Sequence, residues 1–301
     1  MHDDAPTAPT RRALLAALAA AAVAPLSARQ ADEAAAALAA VEGAAGGRLG
    51  ACVLDTRTGR LVGHRLDERF GMCSTFKLAL AAMVLREADQ GRLSLAAEVP
   101  ITRADLVPYA PVTEQYVGRT MRLDVMAEAI QTTSDNAAAN LLLARMGGPD
   151  GFTRWLRAAG DTVTRLDRVE PALNLVRSGD ERDTTSPRAM ARLVARCLTT
   201  DWLSASSRDR LAGWMVATGT GMARIRAGLP PAWRAGDKTG TAQADGMADK
   251  TNDIAVVWPP SGGPVVMTGY YDGPRSTGAT QDADQAVLAE VGRIAARWIG
   301  A

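Results

Sequence analysis

An apolar pattern at helical spacing runs through residues 72–88, MCSTFKLALAAMVLREA, and Gly91 follows it as a stop signal. Ser74 and Lys77 lie three positions apart near its start, so a helix places the hydroxyl beside the amine on one face. A serine hydroxyl is a weak nucleophile until a base takes its proton, and an amine with a lowered pKa can be that base. The stretch therefore predicts a central helix that begins with a nucleophile and its base.

Strand patterns lie on both sides of a long run of helical patterns. The strand patterns cover residues 49–55, 61–66, 233–241, 252–258 and 264–271. Further helical patterns cover residues 123–131, 136–146, 151–159, 187–198, 206–217 and 282–299. Strands at both ends of a chain pair most simply in one antiparallel sheet. The order predicts an α+β fold: an antiparallel sheet of N- and C-terminal strands, flanked by helices, with an all-helical subdomain inserted.

The same order predicts two subdomains. Residues 29–70 and 220–301 are expected to form the α/β subdomain. Residues 71–219 are expected to form the helical subdomain, which includes an irregular loop at 165–183.

The N-terminus resembles a signal peptide over residues 1–28. Arg11 and Arg12 precede a short apolar stretch, and small residues follow Pro25 at a plausible cleavage point. The apolar stretch is too short to span a membrane. The signal-peptide pattern leads us to expect an exported protein, periplasmic or secreted. A twin-arginine signal and an ordinary one both remain open.

Composition narrows the possible chemistry. The chain has 301 residues, 47% hydrophobic, with a net charge of +1, so nothing favours a nucleic-acid partner. Histidine occurs only at His2 and His64, so a Ser-His-Asp triad would have to use His64. Zinc hydrolases need several His, Cys or carboxylate ligands, and we expect neither a metal nor a cofactor. The expected partner is a small-molecule substrate, and the expected state is a monomer.

Lysine is rare in this chain. Lys77, Lys238 and Lys250 are the only lysines among its 34 basic residues. Because arginine stays protonated, a retained lysine suggests a place that needs an amine able to lose its proton.

A second hydroxyl occurs in Ser134-Asp135-Asn136, between two helical patterns. Ser134 could pass a proton to a leaving nitrogen, and the Asn136 amide could bind a substrate amide. The alternative is a helix N-cap, which these residue types also supply, and the two roles are compatible.

Two further motifs complete the set. Lys238-Thr239-Gly240-Thr241 lies on a predicted strand, where a lysine and two hydroxyls can hold a carboxylate and the glycine lets a ligand approach the backbone. Glu170 and Asn174 lie in the irregular loop, four positions apart, and can hold one water between them with Glu170 as its base.

The motifs S-T-F-K, S-D-N, E-P-A-L-N and K-T-G, in this order, resemble those of class A β-lactamases over about residues 35–300. The resemblance implies a serine hydrolase that opens the β-lactam ring of penicillins and cephalosporins in two steps. Ser74 would be acylated with the help of Lys77, and whether Lys77 or Glu170 is the acylation base stays open. Ser134 would protonate the departing nitrogen, and Glu170 with Asn174 would hold the deacylating water.

The resemblance also implies the substrate contacts. The backbone N–H groups of Ser74 and Thr241 would form the oxyanion hole. Asn136 would contact the acylamido group, and Tyr109 matches an aromatic residue at the mouth of the cleft. The carboxylate of the substrate would face Lys238, Thr239, Gly240, Thr241 and Arg224, the last in place of an arginine that many members carry near the final helix.

The sequence departs from the family in two places. Cys73 precedes the nucleophile, as in carbapenem-hydrolysing members, but Ala242 stands where their partner cysteine lies, and we predict no structural disulfide. Residues 243–250 form an enlarged turn between two strands. A family salt bridge that closes the loop carrying Glu170 is retained as Arg168 and Asp183.

Two related classes remain as alternatives. A penicillin-binding D,D-peptidase and a β-lactam-binding sensor are both acylated by the same drugs without efficient turnover. Glu170 and Asn174 argue against the peptidase, because it lacks this water site. A glutaminase of related fold is a third alternative, with no residue that favours its substrate.

Overall fold

The computed structural model describes residues 11–300, with side chains from residue 28 onward. Its main sheet is antiparallel, with the strand order β2-β1-β9-β8-β7. These strands are β1 (Arg48–Asp55), β2 (Leu61–His64), β7 (Arg234–Ala242), β8 (Lys250–Trp258) and β9 (Val265–Asp272). Two short ladders pair β3 (Phe70–Gly71) with β6 (Thr184–Thr185), and β4 (Glu98–Pro100) with β5 (Thr120–Arg122).

The main sheet is buried on both faces. Because side chains alternate along a strand, Leu49 and Val53 of β1 face one core while Cys52 and Leu54 face another. Helices α1 (Arg11–Ala45) and α8 (Asp282–Gly300) cover the first face. Helix α6 (Pro187–Thr199) covers the second, where the sheet meets the helical region. The continuous burial explains the long apolar runs of β1 and β9.

Helix α2 (Phe76–Asp89) is the centre of the helical region. All ten residues from Phe76 to Leu85 are buried. The helices that surround it are α3 (Leu123–Thr132), α4 (Asn136–Arg145), α5 (Gly148–Ala158), α6 and α7 (Ala205–Ala217). A helix that is enclosed on all sides has no freedom to shift, so its N-terminal turn is a fixed platform for the residues it carries.

The predicted α+β fold is confirmed, and the differences are local. Ser74 lies in a 3₁₀ turn, Cys73–Thr75, that precedes α2, rather than inside the α-helix. Lys250 is the first residue of β8, so the enlarged turn is 243–249. Residues 1–10 of the predicted signal peptide, including His2, lie outside the described residues, and within residues 11–300 no helix is both long and apolar enough to cross a bilayer.

Candidate active site

The turn that carries Ser74 is packed directly against β7. A Cβ placed on Gly240 would lie 2.7 Å from the carbonyl oxygen of Met72 and 3.2 Å from the backbone nitrogen of Thr75. The sequence suggested that Gly240 leaves room for a ligand. The structure gives a different reason, since this glycine lets the strand approach the backbone of the turn that carries Ser74.

Lys77 lies at the centre of the predicted catalytic residues. Its Nζ donates to Ser74 Oγ at 2.7 Å, to Asn136 Oδ1 at 2.6 Å and to Glu170 Oε1 at 2.7 Å. An ammonium has three N–H donors, and a fourth acceptor, Ser134 O at 3.2 Å, also lies within hydrogen-bond distance, so the donor capacity of Lys77 is fully used. Complete burial lowers the pKa of Lys77, while the neighbouring charge of Glu170 opposes that shift. The lowered pKa makes the neutral, proton-accepting form of the amine more accessible than it is in water.

Ser134 lies between two lysine amines. Lys238 Nζ donates to Ser134 Oγ at 3.0 Å, and Lys77 Nζ lies 3.5 Å from the same oxygen. Burial, followed by repulsion from Lys77, lowers the pKa of Lys238 to about 7. Since the hydroxyl oxygen accepts from Lys238, its own proton remains available for donation to another group.

Glu170 is buried and held on both sides. Its Oε1 accepts from Ser74 Oγ at 3.4 Å, and its Oε2 accepts from Asn174 Nδ2 at 2.6 Å. Asn140, on α4, clamps the backbone of Glu170: its Oδ1 accepts from Glu170 N and its Nδ2 donates to Glu170 O, both at 2.9 Å. Sequence reasoning missed Asn140, although it lies one helical turn after Asn136 on the same face.

The predicted salt bridge of the loop is confirmed. Arg168 Nε lies 2.5 Å from Asp183 Oδ2, and Asp183 is fully buried. Asp183 Oδ1 accepts from the backbone nitrogens of Asp167 at 2.7 Å and Arg168 at 2.9 Å. One carboxylate thus fastens two segments of the loop that carries Glu170.

Asn136 fixes the edge of the cleft. Its backbone nitrogen donates to Tyr109 O at 2.9 Å, and its Nδ2 donates to Pro108 O at 2.8 Å. Its Oδ1 accepts from Lys77, and one of the two Nδ2 hydrogens is used by Pro108 O. One side-chain N–H therefore remains for a substrate. Tyr109 itself is 60% exposed, as expected for a residue at the cleft mouth.

Asp135 has a structural role. It caps α4 by accepting from Ala138 N at 2.9 Å, and it also accepts from Thr113 Oγ1 at 2.8 Å. The N-cap alternative for this motif is therefore correct for Asp135, while Ser134 and Asn136 point to Lys77.

Arg224 lies beneath the strand that carries the K-T-G-T motif. Its Nη2 donates to Thr241 Oγ1 at 2.7 Å, and its Nη1 donates to Gly240 O at 3.0 Å and Asn252 O at 2.6 Å. Thr239 Oγ1 lies 2.7 Å from the hydroxyl of Thr220, a contact the sequence did not indicate. The predicted substrate-binding residues of β7 are thus brought together with Arg224 and Lys238.

Four of the five non-glycine residues with positive φ among the described residues lie at or next to this site. Positive φ angles occur at Cys73 (48°), Tyr109 (65°), Ser134 (64°) and Asp183 (57°), none of which is glycine. Such conformations are sparsely populated and cost about 1–3 kcal/mol each. Surrounding packing and hydrogen bonds hold them, which is typical of functional sites.

The other candidates lie elsewhere. His64 Nε2 is 3.4 Å from Glu42 Oε1, so its neighbour is α1 rather than Ser74. Cys52, Cys73 and Cys197 are buried with free thiols, and Cys73 packs on Ala242 and Met247. Among residues 28–300, no group of three or more His, Cys, Asp or Glu side chains is arranged to hold a metal ion.

Comparison with known proteins identifies the class. The β-lactamase enzyme family matches residues 33–299, and the chain belongs to it. β-Lactamase L2 of Stenotrophomonas maltophilia is 48% identical over 261 residues, 86% of this chain and 84% of the relative. β-Lactamase CTX-M-8 of Citrobacter amalonaticus is 43% identical over 233 residues, 77% and 79% of the two chains.

Similar solved structures narrow the family to class A of the β-lactamases. The ancestral (GNCA) class A β-lactamase is 51% identical with a TM-score of 0.83, covering 88% of this chain and 99% of that chain. A β-lactamase from Xanthomonas campestris is 43% identical with a TM-score of 0.84, covering 90% and 99%. The protein is a class A β-lactamase, a hydrolase that opens β-lactam rings, and the peptidase, sensor and glutaminase alternatives are not supported.

Proposed function

We propose that Ser74 is the nucleophile of a two-step hydrolysis of penicillins and cephalosporins, with Lys77 and Glu170 moving its proton. The observation that carries the proposal is the position of Lys77 Nζ, 2.7 Å from both Ser74 Oγ and Glu170 Oε1. The catalytic cleft would lie between the two subdomains expected from the sequence, 29–70 with 220–301 and 71–219.

Acylation requires a base that has a free electron pair. While Lys77 is an ammonium, its three N–H groups are donated and it cannot accept a proton. Transfer of one proton to Glu170 would leave a neutral amine beside Ser74, which could then deprotonate the hydroxyl. Direct deprotonation by Glu170, 3.4 Å from Ser74 Oγ, is the other route. In either route, the proton of the Ser74 hydroxyl ends on the pair formed by Lys77 and Glu170.

Ring opening also requires an acid. As the Ser74 oxygen bonds to the lactam carbon, the C–N bond breaks and the nitrogen needs a proton. Ser134 is the proposed donor, because its oxygen accepts from Lys238 and its proton is free to leave. Lys77 or Lys238 would then reprotonate Ser134.

Deacylation requires a water activated by Glu170. Asn174 Oδ1 is buried and has no hydrogen-bond partner among the described residues, so it offers an acceptor beside the carboxylate. A water donating to Asn174 and to Glu170 would attack the ester carbon. The ester C–O bond then breaks, and the proton taken by Glu170 returns to Ser74.

The negatively charged groups of the substrate are proposed to bind at β7. The backbone N–H groups of Ser74 and Thr241 are proposed to stabilise the oxyanion. Lys238, Thr239 and Thr241 are proposed to face the substrate carboxylate, with Arg224 adding positive charge through its bond to Thr241 Oγ1. Asn136 and Tyr109 are proposed to flank the acylamido side chain.

The cellular setting is also proposed. Residues 1–28 are proposed to direct export and to be removed, with a twin-arginine signal as one option. The mature protein is proposed to act as a monomer on β-lactams outside the cytoplasm.

The test follows turnover of a chromogenic cephalosporin together with intact protein mass. Wild type is expected to turn over without a lasting adduct, whereas Glu170→Ala is expected to accumulate a stable adduct on Ser74. Glu128→Ala, an exposed carboxylate on α3, is the matched control and is expected to behave as wild type. Wild type that itself stalls as an adduct, or Glu170→Ala that turns over normally, would refute the assignment of Glu170.

A further inference from the structure

A cavity of about 460 Å³ is lined in part by the loop that carries Glu170. The later arm of this loop, residues 176–181, forms one wall, and residues 246–248 of the enlarged turn form another. We call it the loop-arm pocket. Its charged lining includes Arg48, Arg69, Arg177 and Lys250, and none of the proposed catalytic residues lines it. Its size falls within the usual range for small-molecule sites, about 300–1,000 Å³.

Lys250, the lysine that the catalytic mechanism does not use, lies in this pocket. Its side chain is 5% exposed, and its Nζ donates to Asp272 Oδ1 at 2.7 Å. The other oxygen, Asp272 Oδ2, accepts from Arg48 Nη2 at 2.8 Å. Two cations thus share one carboxylate, and the Lys250 ammonium keeps two of its three N–H donors for another acceptor.

Two arginines that line the pocket, Arg69 and Arg177, have unused N–H donors. Arg69 Nη1 donates to Val163 O and to Thr184 Oγ1, both at 3.0 Å, but its Nε lies 3.9 Å from Glu181. That distance is beyond a hydrogen bond. Arg177 is exposed and makes no hydrogen bond or ion pair through its side chain with any residue in the described range 28–300.

The acidic groups of the pocket are better satisfied. Asp272 is held by Lys250 and Arg48, and Asp180 accepts from Arg182 at 2.9 Å. Only Glu181, whose side chain is 65% exposed, lacks a close partner among the described residues. Unused donors therefore exceed unused acceptors, which favours an anion over a cation or a neutral ligand.

We propose that the loop-arm pocket binds a small organic anion that carries more than one carboxylate or phosphate group. One acidic group would accept from Lys250, and another from Arg69 and Arg177. This inference goes beyond the proposed hydrolysis and does not depend on it.

Such a ligand would bridge two elements of the fold. Lys250 belongs to β8, whereas Arg177 belongs to the loop that continues back to Asn174 and Glu170. Binding would therefore restrain the arm 176–181 and slow hydrogen exchange of its backbone amides. It would also raise the melting temperature, increasingly so as the ligand concentration rises above its Kd.

Calorimetric titration at low salt tests the proposal with citrate as the carboxylate probe and pyrophosphate as the phosphate probe. We expect at least one probe to bind saturably at one site. Lys250→Met and Arg177→Gln are each expected to weaken that binding by about tenfold or more, through loss of a charge-assisted hydrogen bond. Lys250→Met leaves Asp272 paired with Arg48, and Arg177 is exposed, so both variants are expected to fold.

Arg192→Gln is the matched control, because Arg192 lines a different charged pocket of about 320 Å³. It is expected to bind the probe as wild type does, and cephalosporin turnover without probe reports separately on the catalytic site. Citrate binding that survives Lys250→Met and Arg177→Gln would overturn the proposal. So would equal loss in Arg192→Gln, competition with the β-lactam substrate, or absence of binding by both probes.

Discussion

Replacement of Asp183 by asparagine isolates the contact that fastens the loop carrying Glu170. Asparagine has the same shape, and its oxygen can still accept from the backbone nitrogens of Asp167 and Arg168. The contact that disappears is the charged one, Arg168 Nε to Asp183 Oδ2 at 2.5 Å, in a fully buried position. Breaking one partner of a buried ion pair costs about 3–5 kcal/mol.

Because asparagine keeps the hydrogen bonds to the backbone nitrogens, the cost of Asp183→Asn is expected at the lower end of this range, about 3 kcal/mol. Since each 1.4 kcal/mol is a factor of ten, the equilibrium constant for holding Glu170 in place falls by about 100-fold, and deacylation is expected to slow by up to that factor. Acylation is expected to change less, because Ser74 and Lys77 are fixed by α2. The assay is the decay of the acyl-enzyme by intact mass after a single dose of penicillin, with melting temperature measured in parallel.

Asp180→Asn is the control in the same loop. Asp180 pairs with Arg182, whose side chain is 55% exposed, and exposed ion pairs contribute about 1 kcal/mol or less. Deacylation is expected to slow by less than about fivefold. If Asp183→Asn deacylated at the wild-type rate, or if Asp180→Asn slowed it equally, the assignment of this ion pair would be refuted.

Three further changes address other contacts of the site. Asn140→Ala removes two hydrogen bonds to the backbone of Glu170 and is expected to lower the free energy of unfolding by about 2–3 kcal/mol in denaturant titration; an unchanged midpoint would contradict the clamp. Gly240→Ala puts a Cβ 2.7 Å from Met72 O and is expected to reduce the acylation rate by about 10²-fold, whereas a wild-type rate would show that the strand can yield. Because the pKa of Lys238 is lowered to about 7, its charge is present below that pH, and kcat/KM is expected to fall as pH rises through 7. Lys238→Arg stays charged and is expected to lose this fall in the pH profile. A fall at the same pH in Lys238→Arg would exclude Lys238 as its source.

The sequence predicted the elements whose signal is local. Periodicity located the strands and helices of the main sheet and of the helical region, and the three-residue spacing of Ser74 and Lys77 predicted that their side chains lie together, whereas only the family resemblance placed Ser134 beside them. These predictions succeed because period and spacing depend on residues that are near one another in the chain. The structure changed most boundaries by only one to three residues, at ends where a helix or strand has no strong stop signal.

The predictions that failed or were absent depend on tertiary packing. The Ala-rich stretch before β1 received no assignment because it lacks a period, yet it forms the later half of α1, where Leu38 packs on α8. Asn140 belongs to no motif, and only the fold brings it to Glu170. The reason for Gly240 lies in a segment more than 160 positions away, and the strand position of Lys250 follows from its pairing with Asp272.

The scarcity and burial of lysine have a practical consequence for chemical labelling. Lys77 and Lys238 are fully buried and Lys250 is 4% exposed, so amine reagents meet almost no side-chain amine on the folded surface. The α-amino group is the chain's remaining primary amine. Succinimide ester dyes or amine-coupling resins are therefore expected to attach once per molecule, which gives conjugates of uniform composition without any engineered residue.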